Sequence, residues 1–283
     1  MTNVVPFFLD VLGGGVLPVV WTFLRFLPQV FVLFCVLELF RNFRFVRTSP
    51  LLAFLLGFAC TTLAVCALSE RGGKKVLALC FVPCSARLPV MLLIANMLGF
   101  GIWLPLALYL MSGMVAYTVW RLVCKSKTPP HRTCANCLGK NPRYFTRVLT
   151  QTLGFLRRIS LPVLMFSVIL YILGDALNTI GGMVAPTLIP IGLASGAVVV
   201  VIVFGMLGKE MMAATLVTLG VTFATTASAL SFVVFATLMP PCFAAISAIR
   251  ARCGTRLALV CVGFGLVVAY AAAFVVHTVV VLY

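Results

Sequence analysis

The sequence predicts an all-α polytopic transmembrane helical bundle, and three observations predict it. Of 283 residues 63% are hydrophobic, with a mean hydropathy of +1.20. Only 9% are charged, which leaves little material for the wetted surface of a soluble domain. Apolar runs of bilayer-crossing length follow one another, and Lys and Arg gather between them. The charge balance, 21 Lys and Arg against 5 Asp and Glu, gives a net charge of +16. In a soluble chain that excess would suit nucleic acid. Set between apolar runs, it suits the anionic cytoplasmic face of a lipid bilayer, so lipid is the expected partner and nucleic acid is not. The shortage of carboxylates offers no acidic cage for a hard cation. The 11 cysteines lie scattered in apolar segments without a disulfide-like framework, and most read as small buried hydrophobes. Met1 to Leu12 has no basic residue ahead of its apolar ones and does not read as a signal peptide.

About eight membrane segments are expected. Segment one, Val16 to Phe40, is interrupted by Pro18 and Leu27-Pro28-Gln29 and contains Arg25. Segment two, Pro50 to Leu68, lies between basic loops at Arg41–Arg47 and Arg71–Lys75. Segments three and four are Val76 to Phe100 and Trp103 to Val123, followed by a polar, basic stretch, Cys124 to Arg158. Segments five and six are Ile159 to Leu177 and Val184 to Leu207. Met211 to Ile249 is long enough for two passes, and Leu257 to Tyr283 is the last segment. All basic clusters fall on one face only if segment two dips in and returns, turning at Gly57, Cys60 and Thr61. The chain then divides into residues 1–123, a basic cytoplasmic linker over 124–158, and residues 159–283.

Segment three carries the most informative stretch, Pro83-Cys84-Ser85-Ala86-Arg87-Leu88-Pro89. Each proline removes an N–H and clashes with the preceding turn, so the helix is expected to break at membrane depth. A break exposing a thiol, a hydroxyl and a guanidinium persists only in protein or beside a watery cavity. Either it borders a cation pathway or it is a kink with one snorkelling Arg. Pro241-Cys242-Phe243-Ala244 echoes it faintly in the second half, as paired interrupted helices do around a midplane site. Cys60, Cys84 and Cys242 each sit at a Gly- or Pro-disrupted point. Thiolates are soft ligands suited to late first-row divalent metals. Lys209 and Glu210 are either an intramembrane functional pair or an ion pair at the cytoplasmic interface. His131, Cys134 and Cys137 lack the fourth ligand of a zinc site. His277, in the last segment, reads as a hydrogen-bonded core residue. No phosphate-binding loop and no Ser/His/Asp set stands out, so neither a nucleotide site nor an enzyme is expected.

Pro83 to Val90 resembles the C-S-A-R-L-P-V signature of the membrane part of the ferrous iron transport protein B (FeoB) family. Further stretches resemble that family in its order. Gly13-Gly14-Gly15 with Phe26-Leu27-Pro28-Gln29 resembles the opening of its first gate region. Gly57-Phe58-Ala59-Cys60-Thr61 resembles G-F-G-C-[NST]. Phe155-Leu156-Arg157-Arg158 resembles the entry to its middle helix. Gly208-Lys209-Glu210 with Thr215-Leu216 resembles the second gate, as does Pro241 to Arg250. The resemblance implies a multi-pass protein of the bacterial inner membrane that carries iron(II), with residues 1–123 as a first gate repeat and 159–283 as a second gate repeat and C-terminal helix. It implies an ion path touched by Cys60, Cys84 and Cys242, assisted by Thr61, Ser85 and Glu210. Pro83, Arg87, Pro89, Gly57, Pro241 and Lys209 would shape the breaks, with Arg87 bracing one through backbone carbonyls. The family's GTP-binding domain is not expected within this chain, and Ala59 and Leu63 stand where the family has Gly and Pro. A separate GTP-binding protein and a homo-oligomer are therefore further expected partners. The alternatives are a gate-type transporter of another solute, such as nucleosides, and a non-transporting degenerate paralogue.

The topology has a direct check. A reporter fused at Ser69 should report the cytoplasmic side, and an external signal would exclude a re-entrant segment two.

Overall fold

The computed structural model describes residues 60–67, 75–123 and 174–282, together with residues 28, 31, 32, 35, 56–58, 146, 149, 150, 153 and 154. Arg25 and most of segment one, the loops at 41–47 and 71–74, His131 with Cys134 and Cys137, and most of segment five lie outside the described residues. The chain forms two compact units, Met1–Thr48 with Ala135–Asn178, and Ser49–Cys134 with Thr179–Tyr283. The second contains every element discussed below except the first turn of one helix.

The described residues form helices and turns, with no strand among them. In order come α1 (Thr61–Ala67), α2 (Val76–Leu79), a 3₁₀ turn (Ser85–Arg87), α3 (Leu88–Leu98) and α4 (Trp103–Val123). Then follow α5 (Gly174–Leu188), a 3₁₀ turn (Ile189–Ile191), α6 (Gly196–Leu207) and α7 (Lys209–Thr218). The last three are α8 (Thr226–Leu238), α9 (Phe243–Cys253) and α10 (Thr255–Leu282). Local chemistry sets several boundaries. Pro89 lies in the first turn of α3, where its missing N–H has no intrahelical partner to lose. Gly99 ends α3 in the left-handed region, φ 73°, with its N–H turned back to Ala95 and Asn96. The Thr225 hydroxyl caps α8 by accepting from Ser228 N at 3.1 Å.

Three stretches among the described residues are long and apolar enough to cross a membrane: α4, the α8–α9 run Thr226–Cys253, and α10. A fourth arises if Gly181–Ile191 and Gly196–Leu207, bent by 93°, count as one broken span. The all-helical membrane class stands. The described residues carry three or four of the eight or so expected segments. Two-thirds of the α8–α9 span is buried against 22% of α4 and of α10, so α8–α9 is the inner element and the other two offer broad apolar faces to lipid.

The core forms around α8, which packs on α10, α3 and α4. The buried positions of α10 are Ala258, Cys261, Gly265, Ala269 and Ala273, a stripe of small side chains that lets helices approach closely without solvent to drive them together. Pro240 sits over Gly265, where an added methyl would come within 3.2 Å of the proline ring. Ser231 Oγ, fully buried, reaches Ile191 O at 2.7 Å and Ala273 O at 3.3 Å, tying α8 to the 3₁₀ turn and to α10.

Segment two differs from expectation at Gly57, Cys60 and Thr61. Cys60 N donates to Leu56 O at 2.8 Å and Cys60 O accepts from Ala64 N at 3.1 Å, so four-residue helical bonds lie on both sides of it. Cys60 is a junction between helical stretches, with Thr61 opening α1, rather than the tip of an open turn. Gly57 serves close approach instead: a methyl there would press on Val82 at 3.0 Å.

Gly192 tests the packing. It closes the Ile189–Ile191 turn at φ 75° with no room for a methyl, which would collide with the half-buried His277 imidazole. Gly192→Ala should cost about 2–4 kcal/mol from the left-handed penalty plus the forced shift of His277, read as a fall of several degrees in the thermal unfolding midpoint of the purified protein.

Candidate functional site at two broken helices

Both proline-marked stretches break their helices. At the first, α2 ends and its last turn tightens into three-residue bonds, Phe81 N to Ala78 O at 3.2 Å and Val82 N to Leu79 O at 3.3 Å. Cys84 is extended, φ −81° and ψ 159°, and the chain re-enters helical geometry at Ser85. At the second, α8 ends, Met239 has ψ 156°, and Cys242 is extended at φ −61° and ψ 161° directly before α9. Each cysteine carbonyl accepts from the N–H three residues on: Arg87 N at 3.0 Å for Cys84, Ala245 N at 2.9 Å for Cys242. The four-residue sequence echo therefore has a matching backbone shape.

A broken helix within an apolar protein leaves carbonyls that must find donors. Helix α4 supplies two at the first break. Ser112, a buried hydroxyl in an apolar helix, donates to Phe81 O, and Tyr109 OH donates to Cys84 O at 3.3 Å. Phe58, next to Gly57 in segment two, stacks on the Tyr109 ring with centroids 6.2 Å apart. Arg87 supplies the second break. Its Nη1 donates to Thr237 O and its Nη2 to Met239 O at 2.8 Å, the carbonyls freed where α8 stops. Arg87 is 3% exposed, and its planar fork presents a separate N–H to each of two carbonyls in a fixed geometry. It braces a break through backbone carbonyls, as the sequence suggested, although the break it braces is the other one.

A narrow hollow of about 200 Å³ lies beside this brace, lined by Arg87, Val90, Met91, Lys209, Met212, Ala236 and Thr237. Nowhere is it wide enough for a water molecule. Lys209 is 2% exposed at the start of α7, which packs on α3. Lys209 is enclosed by protein: Met212 and Leu216 on the same helix are also buried, and α7 carries its first residue in with them. Glu210 stands next on α7, and its side chain lies outside the described residues.

The other sequence-derived residues separate by environment. Pro83, Cys84, Gly57, Thr61 and Pro241 are buried, Cys60 and Cys242 are half-buried, and Ser85 and Pro89 are exposed. Cys60, Cys84 and Cys242 each stand immediately before a helical start, and α1, which follows Cys60, packs on α9, which follows Cys242. Among the described residues no three His, Cys, Asp or Glu side chains converge as a metal cage, and the hollow is lined by thioethers and cations rather than by the cysteines. Ser112 and Tyr109 had a usable signal, polar groups at i and i+3 of an otherwise apolar helix. Thr237 and Met239 had none, because they contribute main-chain oxygens.

Comparison with protein-family models, curated proteins and solved structures finds no match to this chain.

Replacing the brace measures its weight. Arg87→Met should destabilise the protein by about 2–4 kcal/mol, because two buried carbonyls lose their donors, partly offset by removing a buried charge. Arg87→Lys should recover less than half of that loss, read by thermal unfolding in the same detergent.

Proposed function

We propose that this chain is a membrane permease-like protein whose solute crosses at the two helix breaks, and that the solute is iron(II). The observation that carries the reading is the pair of proline breaks, each presenting an extended cysteine ahead of a helix, joined to one another by Arg87 through Thr237 O and Met239 O. Breaks at apolar depth cost hydrogen bonds, and membrane proteins keep them where a solute needs unwound backbone. The likeness of Pro83–Val90 and Pro241–Arg250 to motifs of the ferrous iron transport protein B family supports iron(II) as the cargo and two gate repeats as the architecture. In this reading Cys84 and Cys242 offer soft sulfur ligands from the two breaks, and Cys60 a third from the start of α1. Thr61, Ser85 and Glu210 supply oxygens. Passage requires the breaks to separate, since the adjoining hollow admits no water. The buried cations Arg87 and Lys209 oppose a free divalent ion, so the thiols would pass it as thiolate-bound ion, losing protons as it enters. A bacterial inner membrane and a separate GTP-binding protein complete the proposal.

A second reading draws on those same cations. Arg87 and Lys209 lining one hollow suit a carrier of another, anionic solute.

Proteoliposomes separate the two. Iron(II) influx, followed by quenching of an enclosed chelating dye, should be present with the wild type and fall at least about tenfold in Cys84→Ser, as expected for loss of a metal ligand. Absence of iron(II) influx alongside uptake of a nucleotide or carboxylate would replace the first reading by the second.

A further inference from the structure

Helix α4 has two faces. Pro105, Leu108, Ser112, Ala116 and Val119 are buried. Leu106, Leu110, Met114 and Tyr117 are exposed, at spacings of four, four and three residues that keep them on one stripe. The helix has 21 residues and so measures about 31 Å, the depth of a hydrocarbon layer. Trp103 opens it and Trp120 stands near its end, 17 positions on (120 − 103), or about 26 Å along the axis. Aromatic rings at that separation mark the two interfaces of a bilayer, which puts Tyr117 and Trp120 at head-group level.

Two cations lie over these rings. Lys75 Nζ, from the residue before α2, is 5.7 Å from the Trp120 ring centroid, and Arg121 Cζ is 5.6 Å from that of Tyr117. Tyr117 and Trp120 are three residues apart, hence neighbours on the helix surface, so the cations stand over adjoining rings. The place of Arg121 is informative. A long basic side chain at a helix end ordinarily extends toward water. This guanidinium lies instead over a ring whose residue is one turn nearer the bilayer centre. No acidic residue lies between Glu70 and Asp175, so neither α2 nor α4 brings a carboxylate to balance the pair.

We propose that Lys75 and Arg121 hold the phosphate of an anionic phospholipid of the phosphatidylglycerol class, with an acyl chain laid along Tyr117, Met114 and Leu110. The occupant follows from the two halves of the site taken together. The cations ask for an anion, and the exposed stripe running from them into the hydrocarbon asks for an apolar chain attached to it. A soluble phosphate would meet the first half and gain nothing from the second. A zwitterionic lipid brings its own cation to a place that already has two, and so binds less well. The bound head group would join the chain entering α2 to the end of α4, which also carries Ser112 and Tyr109, the donors of the first break. This inference needs α4 to cross the bilayer and does not depend on which solute, if any, the breaks pass.

The test uses the full chain carrying Trp21→Phe and Trp103→Phe, so that Trp120 alone of the tryptophans fluoresces. It is placed in phosphatidylcholine nanodiscs containing a minor fraction of phosphatidylglycerol or phosphatidylcholine, brominated near the head-group end of the acyl chain. Each basic side chain near an anionic leaflet is worth about fivefold, so brominated phosphatidylglycerol should reach half-maximal quenching at a mole fraction lower by about tenfold or more. The two quenching curves should converge in Lys75→Gln/Arg121→Gln. They should stay apart in Lys75→Arg/Arg121→Lys, and in Arg256→Gln, which removes a cation at the start of α10 instead. Equal quenching by the two lipids in the parent protein would overturn the proposal. So would a preference that survives the double neutralisation, since that belongs to the general surface charge. Relief of quenching by inorganic phosphate at matched ionic strength would assign the cations to a soluble anion and overturn the lipid as occupant.

Discussion

The fork of Arg87 across Thr237 O and Met239 O is the constraint from which the rest of the second unit follows. A helix that stops within an apolar protein leaves unsatisfied carbonyls, and water is not at hand to take them. The donor comes from a second interrupted helix some 150 positions earlier, so the later interruption is satisfied through the earlier one. Once that link is made, α3 lies along α8, and α7 follows α3 inward with Lys209. The guanidinium also neutralises the negative pole of α8, a favourable arrangement for a cation at a helix C-terminus.

The rest of the packing is permissive where this link is specific. The small-residue face of α10 lets α8 lie close, and Ser231 adds a polar stitch where the two helices meet the Ile189–Ile191 turn. Helices α4 and α10 carry the large apolar side chains outward, as lipid allows. The interior of this unit holds little polarity, and several of its polar side chains serve backbone carbonyls: Arg87, Ser112, Tyr109 and Ser231 all donate there. This is a membrane protein's version of polar satisfaction, with side chains standing in for absent solvent.

How much of this was legible in the sequence depends on which partner carried the information. Pro83 and Pro89, and Pro240 with Pro241, announce the two interruptions because proline acts locally. That Arg87 would meet carbonyls could be anticipated from its depth. Which carbonyls could not, since main-chain oxygens at 237 and 239 leave no mark on residue identity. Gly57 misled in an instructive way: glycine serves both turns and close contacts, and pressing against Val82 is the use the fold makes of it. Lys209 was open to two readings, and its enclosure by protein, with Met212 and Leu216 buried on the same helix, could not be read from its charge or its neighbour. The cysteines were found by their disrupted surroundings, and the described side chains do not gather into a single cage.

The elbow between Gly181–Ile191 and Gly196–Leu207 has a geometric corollary. At 93°, if the first arm stood upright in the bilayer, the second would lie almost flat. Twelve residues of α-helix measure about 18 Å, short of a hydrocarbon layer of roughly 30 Å, so this arm could not cross alone even if upright. With Val198 to Ile202 all buried, this arm would in that orientation be a horizontal beam packed within protein. Its peptide dipoles would then run parallel to the membrane and add almost nothing to the electric potential felt along the transmembrane axis.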